Sequence, residues 1–167
     1  MEKRRTVLKL GFAAAASALL APLRALVGSP TTSSPARLPQ SIHPTPAEEK
    51  VVRAFYGQGW SEGNTAVIAS HPATAAECQR LLQRFRQAFP DLRVDVASIT
   101  KVGDETHVKW TAHGTNRGSL GGLAPTGRKV NIQGSTKMKI VDGKIVASTA
   151  DWDESDLKRQ LSTASAR

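Results

Sequence analysis

Two aspartates close to the C-terminus, Asp151 and Asp153, flank Trp152 at the end of a stretch that alternates like a β-strand. On a curved sheet closed by helices, the concave side holds the core and, towards the open end, a pocket. Strand parity then says which side chains reach a ligand. Ile145, Ala147, Thr149, Asp151 and Asp153 share one parity, while Val146, Ser148 and Trp152 share the other. With the first set inward, a carboxylate stands at the pocket's mouth or floor; the few apolar residues of this stretch leave the choice open. A carboxylate partly shielded from water is held nearer neutrality, so that it can both accept and return a proton. Asp153 has a second reading, since it directly precedes a short predicted helix, Glu154–Leu161, with Asp156 three residues on: an N-cap arrangement. Asp151 reads equally as a surface residue. One strand earlier, Trp110 shares its parity with Val108 and Ala112, and also with Asn116 if the strand continues past Gly114. His43, His71, His107 and His113 are dispersed, and no metal-ligand spacing is present.

The elements that must position these residues are legible from periodicity. Thr45, Pro46 and Glu48 predict a helix start with a capping box. Val51, Val52, Phe55 and Tyr56 form its apolar face, and Gly57 and Gly59 end or loosen it. A short helix over Asn64–Ala69 follows. A second capping box, Thr74 to Glu77, opens a helix lined on one side by Cys78, Leu81, Leu82, Phe85 and Phe89 and stopped by Pro90. The period then changes to two, in Leu92–Val96, Val108–Ala112, Val130–Ile132 and Met138–Ile140, and Asp142-Gly143 signals a two-residue hairpin. Helices first and antiparallel strands afterwards predict an α+β architecture with the helices on one face of a curved sheet. The glycine-rich stretch Gly114–Gly127 reads as a mobile loop that could cover a pocket.

The head of the chain reads as an address. Lys3, Arg4, Arg5 and Lys9 form a basic start with paired arginines, and an uncharged, alanine-rich run follows from Leu10 to Leu23. This is the layout of a twin-arginine export signal, and the run is shorter than the about 20 residues of a permanent span. Residues 1–28 are assigned to this signal, 29–45 to a Pro/Ser/Thr-rich linker, 46–162 to the folded domain and 163–167 to a disordered tail. The destination is then the periplasm or another extracytoplasmic space, with the translocation machinery as a partner. The signal carries +4 of the formal charge of +9. The remaining lysines, Lys129, Lys137, Lys139 and Lys144, are not interleaved with aromatics, which argues against a nucleic-acid platform. Cys78 is the single cysteine of the 167 residues, so no intrachain disulfide forms, and its helical face predicts core packing.

Taken in order, Ala88-Phe89-Pro90-Asp91, the strand ending in Trp110 and His113-Gly114-Thr115, Pro125-Thr126-Gly127, Asp142-Gly143-Lys144-Ile145-Val146, and Asp153 with Leu157, Gln160 and Leu161 resemble the SnoaL-like polyketide cyclase (ester cyclase) family. The resemblance covers roughly the last two thirds of the chain. It implies the cone-shaped α+β barrel of the nuclear transport factor two-like group and intramolecular aldol chemistry on a small carbonyl compound. It implies no metal and no organic cofactor, and pairing into a homodimer through the sheet. It places the family's general acid/base aspartate at Asp153, with Asp151 the alternative, and Tyr56, Trp60 and His71 as ligand contacts where the family's helices meet the barrel mouth; strand parity adds Trp110, Asn116 and Thr149. A non-catalytic ligand-binding or protein-interaction module on the same barrel is the alternative function. The chain departs from the family pattern at Asn116, where His is common after Gly-Thr, and at Ala147, Ser148 and Thr149, where Glu-His-Trp is common.

Overall fold

In chain order the elements are β1 (Arg5–Leu10), β2 (Ser41–Ile42), α1 (Pro46–Ala54), a π-helical segment (Phe55–Ser61), α2 (Thr65–Ala69), α3 (Ala75–Ala88), β3 (Arg93–Val102), β4 (Glu105–Thr115), β5 (Lys129–Val141), β6 (Lys144–Asp153) and α4 (Glu154–Ser162). The computed structural model describes residues 5–10, 41–73 and 75–162, with the backbone path for 5–10 and 41–42. The remainder of the expected signal, most of the linker, Thr74 and the tail lie outside the described residues.

The helical layer begins at a completed capping box: Glu48 N donates to Thr45 Oγ1 at 3.2 Å, and Thr45 N donates to Glu48 Oε2 at 2.8 Å. Lys101 Nζ of β3 reaches the other carboxylate oxygen of the buried Glu48, and that hydrogen-bonded ammonium holds the carboxyl below its usual range. Where Gly57 and Gly59 interrupt the apolar face, the helix widens into the π-helical segment and does not end. Gly59 is required by a close approach, since a Cβ there would stand 2.7 Å from Cδ1 of the fully buried Ile68 on α2. Asn64 caps α2, its Oδ1 accepting from Ala66 N and Val67 N.

The sheet is antiparallel throughout, in the order β1-β6-β5-β4-β3-β2, with helices packed on the face formed by its four long strands. Asp142 (φ 49°) and Gly143 (φ 72°) make the tight mirror-image turn between β5 and β6 that the Asp-Gly pair predicts. Two bulges shift the pleat. In β3 the register moves between Val96 and Ser98, so Val94 and Val96 pack on the core before it and Ile99 after it. In β6, Ile145 pairs with Ile140 and Ala147 with Lys139, which leaves Val146 without a partner.

Two apolar clusters form the core. One gathers Val52, Phe55, Tyr56, Ile68, Cys78 and Leu82 against Val94, Val108, Met138 and Ile145; the other gathers Phe89, Leu92, Val130 and Ile132 against Leu157 and Leu161. Gln160 of α4 fastens that helix to the sheet by accepting from Asn131 N at 2.8 Å and donating to Asn131 O at 2.9 Å.

The base of the loop after β4 is tied down. Asn116, almost fully buried, accepts from Thr126 N (2.8 Å) and Thr126 Oγ1 (3.0 Å) through Oδ1 and donates from Nδ2 to Gly118 O (2.8 Å). Arg117 N and Gly118 N both donate to Ala88 O at the end of α3, and Gly118 lies so near that a Cβ would stand 2.0 Å from Gln87 O. On the other side of the domain, the buried His71 accepts from Ile145 N at 3.3 Å through Nδ1, and Ala73 N donates to Ile145 O at 3.3 Å. Burial, with Lys144 adding to it, pushes the His71 imidazole below the ordinary histidine range.

Two outcomes follow from these ties. Asn116→Ala strips Thr126 N of its acceptor and should cost about 1–3 kcal/mol in urea unfolding. His71 is held neutral in the folded chain, so the unfolded chain takes up the proton first as pH falls. Stability is therefore whole above about pH 6.5 and declines from there through the lowered folded value, by at most about 1.4 kcal/mol per pH unit. Thermal melts between pH 7 and pH 5 should show this loss, and His71→Gln should flatten it.

Candidate functional site

Between the two clusters, under α3 and the π-helical segment, lies a cavity of about 100 Å³. That is several times the roughly 10–15 Å³ that one water molecule needs by the same measure, so the space suits a small organic molecule. Phe55, Phe85, Phe89 and Leu157 wall it from the helical side, and Trp110, Ala112, Val130, Ile132, Ala150 and Trp152 from the sheet. Phe85 meets Trp152 edge-on at 6.0 Å and stacks on Phe89 at 6.2 Å, an aromatic corner fixed by mutual packing. No Asp, Glu, Lys or Arg is among the described residues that line it.

The polar part of the wall is a small hydrogen-bonded group. Tyr56 Oη donates to Thr136 Oγ1 at 2.8 Å, and Trp110 Nε1 donates to the same oxygen at 2.9 Å. Three polar hydrogens make two bonds here, which leaves one hydroxyl hydrogen uncommitted among the described contacts. Gly134 makes the group possible: it pairs with Trp110 across the sheet, and a Cβ would sit 2.3 Å from the indole's Cζ2. Burial pushes the Tyr56 phenol well above its ordinary value, so it serves as a donor and not as a base. Burial, with Glu77 adding to it, likewise pushes the Cys78 thiol up to about 11, keeping this lining residue a thiol at neutral pH. Ser148 completes the polar wall, and Trp60 is a further aromatic lining residue.

The sequence-predicted residues divide sharply. Tyr56, Trp60 and Trp110 line the cavity. Asn116 instead clamps the loop after β4, and His71 holds the backbone of Ile145. Thr149 and Asp151 pair with Lys137 and Ser135, on the side of the sheet opposite the cavity. The phase change at Val146 is the reason: Ile145 is inward before it, and Ser148, Ala150 and Trp152 are inward after it. Asp153 Oδ1 accepts from Ser155 N (2.9 Å) and Asp156 N (3.1 Å), the bonds of an N-cap on α4. His113 borders the cavity through its strand, while its Nδ1 stands 3.5 Å from Asp95 Oδ2, both side chains partly exposed. Thr136 and Ser148 are lining residues that motif reading passes over; the even-numbered inward parity of β5 (Val130, Ile132, Gly134, Thr136, Met138) is the signal that would have found Thr136. Among the described residues, no group of three or more His, Cys, Asp or Glu side chains gathers as a metal site.

Known proteins share this architecture. TsrD from Streptomyces laurentii superposes with a TM-score of 0.64 at 18% identity, covering 72% of this chain and 98% of that one. AclR from Streptomyces galilaeus, described as a candidate hydroxylase, gives 0.61 at 25% identity, covering 72% and 85%. IdmH from Streptomyces antibioticus, described as a candidate polyketide cyclase, gives 0.59 at 20% identity, covering 69% and 98%. A search of curated proteins found no match. A model of the SnoaL-like polyketide cyclase family matches residues 50–161, from the middle of α1 to the end of α4. The span takes in the four long strands and every described residue that lines the cavity, and the chain belongs to the SnoaL-like polyketide cyclase family.

Proposed function

We propose that the domain holds a small, uncharged, largely apolar carbonyl compound in this cavity, and that its chemistry is proton transfer of the cyclase or isomerase kind. The observation that carries the reading is the composition of the wall: aromatic and aliphatic surface, a few hydroxyl and indole donors, and no Asp, Glu, Lys or Arg among the described lining residues. A charged ligand would be buried there without a partner, at a cost of several kcal/mol or more, whereas a neutral carbonyl finds apolar contact and a donor. The family supplies the reaction class, and the family's aspartate falls at Asp153. In this reading Asp153, or Asp151, carries a proton from carbon to oxygen only by leaving its present contacts, since neither lines the cavity.

A second reading, binding without turnover, is favoured by a specific arrangement. Asp153 Oδ1 is committed to the N-terminus of α4, and Asp151 stands beside Ser135 on the far side of the sheet. We also propose export, on the strength of Lys3, Arg4, Arg5 and Lys9 and the apolar run that follows them. That places the ligand outside the cytoplasm.

Native mass spectrometry of protein taken from its host's envelope fraction should show a bound neutral compound. Asp151→Asn and Asp153→Asn should leave its affinity and the melting temperature nearly unchanged, because neither residue lines the cavity and Asn still caps a helix. Turnover in Asp153→Asn should fall at least about a hundredfold if proton transfer passes through this carboxylate; full turnover in both variants returns the domain to the binding reading. Replacing Arg4 and Arg5 together by Lys should leave unprocessed protein in the cytoplasm, and undisturbed export would remove the localisation.

A further inference from the structure

Ser148 lines the cavity from β6 and is only 5% exposed. Across the ladder it pairs with the buried Met138, and the next inward pair on the same two strands is Ala150 with Thr136. Among the described residues Ser148 Oγ has no hydrogen-bond partner. Two other unpartnered side-chain atoms, Trp60 Nε1 and Thr106 Oγ1, are sealed by their neighbours from anything the size of a water molecule. Ser148 Oγ is unpartnered without being sealed, so a molecule in the cavity can reach it. A hydroxyl in an apolar wall destabilises the folded state until a water or a ligand completes its bonds. Most of the remaining polar wall is bonded to itself: Trp110 Nε1 and Tyr56 Oη both donate to Thr136 Oγ1, and the Cys78 thiol is a weak donor.

We propose that Ser148 Oγ binds the ligand's oxygen, and that the ligand is a compound whose oxygen passes between carbonyl and hydroxyl forms, a ketone with its enol or alcohol. This rests on the reading of the cavity as the ligand site and adds to it the atom that holds the ligand and the class of ligand it holds. A serine hydroxyl carries one hydrogen and two lone pairs. It donates to a carbonyl oxygen and, after rotation about the Cβ–Oγ bond, accepts from the hydrogen of an enol or alcohol. An indole or an ammonium only donates and an ionised carboxylate only accepts, so either would favour one form of the ligand over the other. With Ser148 both forms are bonded, and neither requires a buried charge. Removing the hydroxyl should weaken either form about tenfold, the contribution of one neutral buried hydrogen bond. Ser148 is in this sense a binding residue, independent of whichever group transfers protons.

Acetophenone and α-methylstyrene differ by a carbonyl oxygen in place of a methylene, and 1-phenylethanol and cumene by a hydroxyl in place of a methyl. NMR titration of the full chain with all four compounds gives two affinity ratios, each of an oxygen compound to a hydrocarbon of its own shape. Water solvates the oxygen compounds better, so the readout is the change in each ratio between wild type and variant. Ser148→Ala should shift both ratios about tenfold against the oxygen compound while the hydrocarbons bind as before. The melting temperature of the unliganded variant should be kept or raised, since the hydroxyl it loses has no partner among the described residues. Ser148→Thr, which keeps a hydroxyl on the same carbon, should hold both ratios within about threefold of wild type. Ratios unmoved in Ser148→Ala overturn the assignment to Ser148 while leaving the cavity as a ligand site, and a shift in one pair alone overturns the two-form ligand class. A lowered melting temperature in Ser148→Ala returns the hydroxyl to a role in the fold and overturns the assignment as well. Failure of the wild type to bind any of the four compounds overturns the cavity reading itself.

Discussion

Thr136 Oγ1 is the atom beside the cavity at which the helical layer and two strands of the sheet meet through hydrogen bonds. Tyr56 reaches it from the π-helical segment and Trp110 from β4, while Thr136 stands on β5. The indole can lie across its neighbour only because residue 134 has no side chain. A methyl group there would displace Trp110 from its acceptor, and both the cavity wall and the tie to the helices would be disturbed together. Packing and polar pairing are therefore one constraint at this site: the absence of a Cβ on β5 sets the position of a ring, and the ring sets the shape of the space beside it.

Much of this was legible in the sequence because its signals are local. Thr45 and Glu48 close their capping box within one turn, and Asp142-Gly143 forces its hairpin through backbone conformations open to few residues. The apolar face of α3 follows from spacing alone, with Cys78 and Leu82 buried in line with Phe89. What the sequence could not convey is phase. A bulge changes which side of the sheet every later residue occupies without requiring a distinctive residue type, so alternation read across Val146 groups Ile145 with Asp151, and the folded strand separates them. Alternation misplaces Asn116 for a related reason: it runs out at the end of β4, where the amide side chain bonds to the loop and not into the cavity.

The departures from the family pattern acquire a structural meaning in this light. Asn116, standing where His is common, makes a pair of bonds to Thr126 that hold the loop at its base. In the Ala147-Ser148-Thr149 run, Ser148 is the member that lines the cavity, while Ala147 and Thr149 pair with Lys139 and Lys137 on the opposite side. The polar character of the wall is thereby concentrated in hydroxyl and indole hydrogens, with the phenol and thiol both held in their protonated forms by burial. These two groups keep their protons through ordinary changes of pH, and recognition by them depends on shape and on the placement of donors.

The unpaired residue in β6 has a consequence for how such a cavity could be diversified. The strand holds one residue more than the ladder beside it can use. Losing one residue at the bulge would restore a regular ladder with Ser148, Ala150 and Trp152 still facing inward. Drawing Val146 into the ladder with no loss would instead rotate Thr149 and Asp151 to the inside and expel the tryptophan. A hydrocarbon-like chamber and an acid-walled one are thus neighbouring registers of the same strand, and the lineage of such a barrel could pass between them by a change in length as readily as by a change in residue.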